Sequence, residues 1–259
     1  MKRRTLLTGM TAILAVLLMA GPVLAALTTV SGRAFGESVN VTPLGLATVT
    51  SGPLPDTGEL DSDGSNSPLS ASALDSCVGV PLAGCNILST GTLTVHTMGT
   101  TGDAGTVHSD ATVQTVNALD GFLTATVVSS QCNIDSDGNA SGSSTLTNLQ
   151  IQGGEPVAVN PGPNTLITIA GLATVTLNEQ TYDPATNEIT VNAVHIRLTG
   201  GALGTGDIII AQSQCDALPG GPAPVIPESP LVLLLPLLMV AILGGAAFLA
   251  SRRNQVVTA

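Results

Sequence analysis

Residues 188–199 read EITVNAVHIRLT. Apolar and polar side chains alternate up to Val191, and the alternation resumes in the opposite phase from Val194. A period of two is that of a β-strand, because successive side chains of a strand point to opposite faces of its sheet. The segment therefore predicts a half-buried strand, and the change of phase near Ala193–Val194 predicts a β-bulge.

The same period of two recurs along most of the chain between its two ends. The runs are rich in Thr, Val and Ile, and clusters such as NPGPN (160–164) and YDPATNE (182–188) separate them as turns. Strands at this spacing are typical of a sandwich or a barrel, and we expect an all-β, sandwich-like domain. Residues 53–76 are rich in Pro, Ser and Asp and predict a long surface loop. The clearest runs are GTLTVHTMG (91–99), GFLTATVVSSQC (121–132), ATVTLNEQ (173–180) and GDIIIAQSQC (206–215).

The N-terminus predicts a secretory signal peptide over residues 1–25. Lys2, Arg3 and Arg4 form a basic start, and an apolar run and a small-residue cleavage site follow. We expect the general secretory route and a β-rich extracellular domain over residues 26–217.

The C-terminus predicts a membrane anchor. Residues 218–230 form a Pro-rich stalk, and residues 231–250 contain no charged side chain. A helix of that length spans the hydrocarbon core of a bilayer, about 30 Å. Arg252 and Arg253 begin the tail, 251–259, and favour a cytoplasmic location for it.

Two short patterns bear on how the chain is anchored. Leu54–Gly58 reads LPDTG, the sortase pattern, but it precedes an acidic segment and lies far from the hydrophobic run. We therefore expect that it is not a sorting signal. Pro227 and Glu228 precede the hydrophobic run and the arginine pair. That order resembles the PEP-type sorting signals read by exosortase-like enzymes, although Ser229 replaces the second proline, so either processing or a plain transmembrane anchor is possible.

The charge of the predicted domain excludes one class of partner. All 18 acidic residues lie between residues 26 and 230, and the basic residues there are Arg33 and Arg197 alone. A net charge of −16 (2 − 18) repels phosphate backbones, which excludes nucleic-acid binding. The near absence of aromatic residues also disfavours a sugar-stacking module.

Three segments carry a resemblance to a known family. GRAFGESVNVTPLG (32–45), LNEQTYDPATNEITVNAVHI (177–196) and GDIIIAQSQC (206–215) resemble the bacterial choice-of-anchor P family. The resemblance implies an extracellular β-rich domain displayed at the cell surface and implies no established activity. We expect a secreted, membrane-anchored surface protein with a structural or adhesive role. The alternative is an envelope module that binds Ca²⁺ or a small ligand.

Two loops share the spacing of oxygen ligands in the first half of an EF-hand. Oxygen-bearing side chains alternate and then meet a glycine, as in Ca²⁺-binding loops. Serine stands where the bidentate Glu belongs, so turns rich in Asp and Asn are the alternative to a Ca²⁺ site. The residues are Glu59, Asp61 and Asp63 in one loop, and Asn133, Asp135 and Asp137 in the other.

The histidines do not predict a catalytic site. His96, His108 and His195 all lie in or beside predicted strands, where half-exposed histidines are common. A triad or a zinc site assembles in space and leaves no signature in such scattered positions. We expect that the protein is not an enzyme, with a surface hydrolase as the least favoured function.

Four cysteines in an exported chain predict two disulfides, for which three pairings exist. Cys77 and Cys85 flank a short Gly/Pro loop, and Cys132 and Cys215 each end a strand-like run with Ser-Gln-Cys. We expect the pairs Cys77–Cys85 and Cys132–Cys215.

Overall fold

The computed structural model describes residues 26–79, 86–152 and 157–220, which form fourteen β-strands and one short 3₁₀ turn at Gly201–Leu203. The strands are β1 (Leu27–Thr42), β2 (Val49–Asp56), β3 (Leu69–Ala73), β4 (Ser76–Val78), β5 (Leu88–Thr90), β6 (Leu93–Thr100), β7 (Thr106–Ala118), β8 (Leu123–Ile134), β9 (Ala140–Thr147), β10 (Gln150–Ile151), β11 (Thr165–Ile169), β12 (Ala173–Asp183), β13 (Glu188–Thr199) and β14 (Thr205–Pro219).

The strands form two antiparallel sheets. Sheet A has the order β11-β12-β13-β14-β1-β2. Sheet B is built on the long β7–β8 hairpin. Strands β6 and β9 flank one half of that hairpin, and β5 and β10 flank the other half. Strands β3 and β4 extend sheet B through their pairing with β6 and β5.

The two sheets share an apolar core between them. The larger cluster joins buried side chains of sheet A, such as Val194 and Ile208, to those of sheet B, such as Leu123 and Val128. A smaller cluster surrounds Cys132 and Cys215. The expectation of an all-β fold is confirmed, since the described residues contain antiparallel sheets and no α-helix.

Two details of the predicted organisation differ from the structure. Residues 53–76 are not one long loop, because they contain the end of β2 and all of β3, which pair with β1 and β6. The Pro and Ser residues that suggested a loop are accommodated there in sheet edges, where unpaired backbone groups face outward. Strand β14 continues to Pro219, two residues past the predicted domain boundary. Within the described residues no helix is long and apolar enough to cross a bilayer, and segments 1–25 and 231–250 lie outside them.

A row of backbone irregularities crosses each sheet. In β13 the core-facing positions change from odd to even numbers at Ala193–Val194, as the sequence predicted. The neighbouring residues Asn178 and Ala211 have φ of +49° and +55°, and their strands change phase at the same level. Because β12, β13 and β14 change phase together, the pairing register between them is the same on both sides, and the predicted β-bulge at Ala193–Val194 is wrong. In the same sheet a register shift lies between β1 and β2 at Glu37/Val39. Thr115 marks the equivalent row in sheet B, with φ of +50°.

One disulfide joins the two sheets. Cys132 of β8 is bonded to Cys215 of β14, with 5.9 Å between their Cα atoms, which confirms this half of the predicted pairing. Sheets packed face to face usually lie about 10 Å apart, so the layers approach closely at this point. Cys77 is also disulfide-bonded, and its expected partner Cys85 lies outside the described residues.

Candidate functional site

Two histidines and one aspartate meet on the outer face of sheet B. His96 of β6 is the direct cross-strand partner of Asp110 of β7. His108 lies two residues before Asp110 on the same strand and therefore points to the same face. Side chains at direct and diagonal positions of an antiparallel pair are within contact distance, so the hairpin register brings these three together.

The three side chains place their ligand-type atoms close together. His108 Nε2 is 3.1 Å from Asp110 Oδ1, and His96 Nδ1 is 3.5 Å from the same oxygen. One atom from each residue can be chosen so that all three lie within 4.8 Å of one another. All three side chains are about one-third exposed, so solvent and solutes reach them. Among the described residues, this is the cluster of three His, Cys, Asp or Glu side chains whose ligand atoms lie close enough together to hold a metal ion.

Asn133 of β8 orients the ring of His108. The two residues are register partners, and Asn133 Oδ1 lies 2.7 Å from His108 Nδ1. This contact turns the other ring nitrogen, Nε2, toward Asp110 Oδ1, which lies at hydrogen-bond distance. Asn133, which the sequence suggested as a Ca²⁺ ligand, is therefore a neighbour of the imidazoles.

Polar grooves flank this cluster on both sides. A groove of about 320 Å³ is lined by His108 and Asp110 together with hydroxyl-bearing and amide side chains of β7, β8 and β9. A second groove, of about 640 Å³, is lined by His96 and Asp110 with residues of β3 and β6. Asp110 contributes to both grooves, so the carboxylate lies at the boundary between them.

A second histidine network lies on the outer face of sheet A and has a different geometry. His195 has Glu179 Oε2 at 2.8 Å from Nδ1 and Asp207 Oδ1 at 3.0 Å from Nε2. Asn192 donates to the same oxygen of Glu179, and Arg197 donates to Asp207. The carboxylates lie on opposite sides of the ring, so the donors diverge and cannot meet at one ion. The network instead links β12, β13 and β14.

The change of phase in β13 explains this second network. Asn192 and His195 are three residues apart, and in a regular strand they would face opposite sides of the sheet. Because the phase changes at Ala193–Val194, both side chains emerge on the outer face and both reach Glu179. The backbone irregularity thus has a structural consequence in the polar contacts of sheet A.

The two acidic loops form compact turns. Asp135 Oδ1 accepts hydrogen bonds from the backbone N–H groups of Asp137 and Asn139, and Asp63 Oδ1 accepts one from Ser65. Side-chain hydrogen bonds from Ser65 and Asn139 are the largest cause of the lowered pKa values of Asp63 and Asp135, and the backbone bonds lower them further. This is the hydrogen bonding of Asx turns. Ca²⁺ binding by these loops stays a prediction.

One carboxyl group lies inside the protein. Glu37 of β1 is fully buried, and its Oε1 accepts a hydrogen bond from the Ser76 hydroxyl. Its Oε2 has no hydrogen-bond partner among the described residues. Burial raises the pKa of Glu37, and the bond from Ser76 opposes that effect only in part.

Comparisons of the chain with protein-family models, with curated proteins and with solved structures found no match. The choice-of-anchor P resemblance therefore stays a prediction from the sequence motifs. The predicted sorting residues Pro227, Glu228, Arg252 and Arg253 lie outside the described residues.

Proposed function

We propose that the chain is a secreted, membrane-anchored surface protein whose β domain has a structural or adhesive role. The observation that carries the proposal is the disulfide between Cys132 and Cys215. Disulfides form and persist in oxidising compartments and are rare in the cytosol. The signal-peptide pattern in residues 1–25 and the uncharged run 231–250 support the same location from the sequence.

The shape of the described domain is consistent with a structural role. Both sheets carry polar outer faces, and long cross-strand networks such as the one around His195 tie neighbouring strands together. In the described residues every neighbouring strand pair is antiparallel. We infer that such a domain is displayed on the predicted stalk, residues 218–230, and acts through its outer faces.

Protease treatment of intact cells tests the location. We expect the β domain of the full chain to be cleaved from outside, and we expect deletion of residues 231–250 to release it into the medium. Thiol labelling under non-reducing conditions should leave Cys132 and Cys215 unmodified. A domain that is protected in intact cells and carries labelled cysteines would contradict the proposal.

The LPDTG segment provides a matched test of the anchoring mode. Asp56 of this segment is paired with Arg33, and the Thr57 hydroxyl contacts the backbone of Ala34, so the pattern lies within the folded domain. We expect Thr57→Ala to leave surface attachment unchanged. Release of the Thr57→Ala variant would mean that a sortase uses this segment.

A further inference from the structure

We propose that His96, His108 and Asp110 bind one divalent transition-metal ion of the Zn²⁺ class, with at least one coordination position open to the flanking grooves. The proposal goes beyond the surface role above and does not depend on the domain's location. It rests on the side-chain geometry of the β6–β7 hairpin.

The donor distances match a coordination polyhedron. Zn²⁺ lies about 2.0–2.1 Å from imidazole nitrogen and carboxylate oxygen, and two ligands on neighbouring corners of a tetrahedron are then about 3.3 Å apart. The two measured separations from Asp110 Oδ1 are 3.1 Å to His108 and 3.5 Å to His96. The three ligand atoms all lie within 4.8 Å of one another, so an ion bound by all three requires rotation of these partly exposed side chains to close the remaining distance.

The hydrogen bonding around His108 favours a cation at this point. His108 Nδ1 lies 2.7 Å from Asn133 Oδ1 and Nε2 lies 3.1 Å from Asp110 Oδ1, so the contact with Asn133 holds Nε2 against the carboxylate. A metal ion bound to both Nε2 and Asp110 Oδ1 would take the place of the proton in this hydrogen bond. Histidines that bind metals commonly donate the other ring N–H to a carbonyl or carboxylate, which is the position of Asn133 here.

The surrounding charge also favours a cation. The chain between residues 26 and 230 carries 18 acidic and two basic residues. Both of these arginines are paired elsewhere: Arg33 with Asp56, and Arg197 with Asp207. Consequently neither of them competes for Asp110. A negative domain raises the local concentration of divalent cations.

The ligand chemistry selects the class of metal. Imidazole suits Zn²⁺ and similar borderline ions, whereas Ca²⁺ and Mg²⁺ prefer sites made of oxygen alone. Three protein ligands leave a fourth position for water or another ligand, as in open zinc sites. The grooves beside His108 and His96 supply the space and hydroxyl groups for such a ligand.

Calorimetric titration of the full-length chain with ZnCl₂, without a histidine tag and in mild detergent, tests the proposal. We expect one Zn²⁺ per chain, and we expect His96→Gln, His108→Gln and Asp110→Asn each to weaken binding at least tenfold. His195→Gln is the matched control, because His195 also faces carboxylates but in a diverging arrangement. It should leave Zn²⁺ affinity unchanged.

A second measurement guards against loss of folding in the variants. Thermal unfolding without metal should change little in His96→Gln and His108→Gln, because both rings are partly exposed. Added Zn²⁺ should raise the Tm of the wild type and of His195→Gln, and should raise that of His96→Gln and His108→Gln much less. Co²⁺ should give visible absorption bands that disappear in the same variants. Absence of Zn²⁺ binding at millimolar concentration, or equal weakening by His195→Gln, would overturn the proposal.

Discussion

Cys132 and Cys215 are bonded across the two sheets, and each of them has a glycine as its register partner on the neighbouring strand. Gly142 pairs with Cys132, and Gly32 pairs with Cys215. A Cβ atom on Gly142 would lie 2.4 Å from Val191 Cγ2, and one on Gly32 would lie 2.5 Å from Thr97 Oγ1. The absence of side chains beside the cysteines is therefore what allows the layers to approach to 5.9 Å between Cα atoms.

The first prediction concerns the energy of this disulfide. Cys132 and Cys215 are 83 residues apart, and the loop-entropy model assigns such a link about 4.5 kcal/mol. We expect the double variant Cys132→Ala/Cys215→Ala to lose more stability than Cys77→Ala/Cys85→Ala. The expected Cys77–Cys85 bond would close a short loop, which the same model makes worth about 2.5 kcal/mol. Urea unfolding of both variants checks the order, and a larger loss in the second pair would contradict it.

The second prediction concerns Gly142. Substitution by alanine places a methyl group against Val191, which is fully buried and has a β-branched side chain with few rotamers. We expect Gly142→Ala to destabilise the domain by about 1–3 kcal/mol. Gly162→Ala is the control, since a Cβ there would meet nothing closer than 3.9 Å. Equal denaturation midpoints for the two variants would show that the sheets are not in close contact at Gly142.

The third prediction concerns the pH dependence caused by Glu37. Burial raises its pKa above the ordinary value of 4.5, so the folded protein holds this proton more tightly than the unfolded chain. The free energy of unfolding therefore falls as the pH rises from 4.5 through the folded-state pKa. We expect Glu37→Gln to flatten that fall, as measured by urea unfolding at a series of pH values. An unchanged slope in the variant would mean that other groups cause the dependence.

The fourth prediction concerns the pair of Arg33 and Asp56. The side-chain bond from Arg33 is the largest cause of the lowered pKa of Asp56. The pair therefore stabilises the fold fully at pH values above 3.8, the ordinary pKa of Asp, and this stabilisation is lost as the pH falls through the folded-state pKa. We expect Arg33→Gln to cost about 1 kcal/mol at neutral pH, because the pair is two-pronged but partly exposed. Arg197→Gln, in a more exposed pair, should cost less. Thermal unfolding at pH 7 and pH 3 compares them, and equal losses at pH 7 would count against the prediction.

The fifth prediction concerns Asn133 as a positioning residue for the proposed metal site. Replacing it by alanine removes the acceptor that orients the His108 ring, and partners of this kind commonly contribute about 10-fold to 100-fold in metal affinity. We expect Asn133→Ala to weaken Zn²⁺ binding about tenfold without abolishing it. Thr126→Ala is the control, because Thr126 lies on the same strand, bonds to Asn148 and does not line either groove. Equal affinity in wild type and Asn133→Ala would exclude the positioning role.

The candidate metal site could not be predicted from the sequence alone. The residues VHSD, 107–110, and His96 are visible in the printed chain, and both segments are recognisable as strands. The register of the β6–β7 hairpin places His96 opposite Asp110, and this register runs without a shift from Leu93 opposite Val113 to Thr100 opposite Thr106. A shift of one residue in the turn would separate the three side chains onto opposite faces, so the alternation pattern alone could not identify the site.

By itself the sequence determined the all-β class, and its change of phase at Ala193–Val194 marked the irregular row of sheet A. The matching Ser-Gln-Cys contexts favoured the Cys132–Cys215 pairing among the three possible ones. The class and the change of phase depend on local periodicity, which needs no knowledge of the partner strands, whereas the sequence context of the cysteines only favours one pairing. The order of strands in each sheet, the glycines that let the sheets approach, and the meeting of His96, His108 and Asp110 depended on the tertiary structure. They arise from contacts between residues distant in the chain, and the free energy of those contacts is set by register and packing and not by local preference.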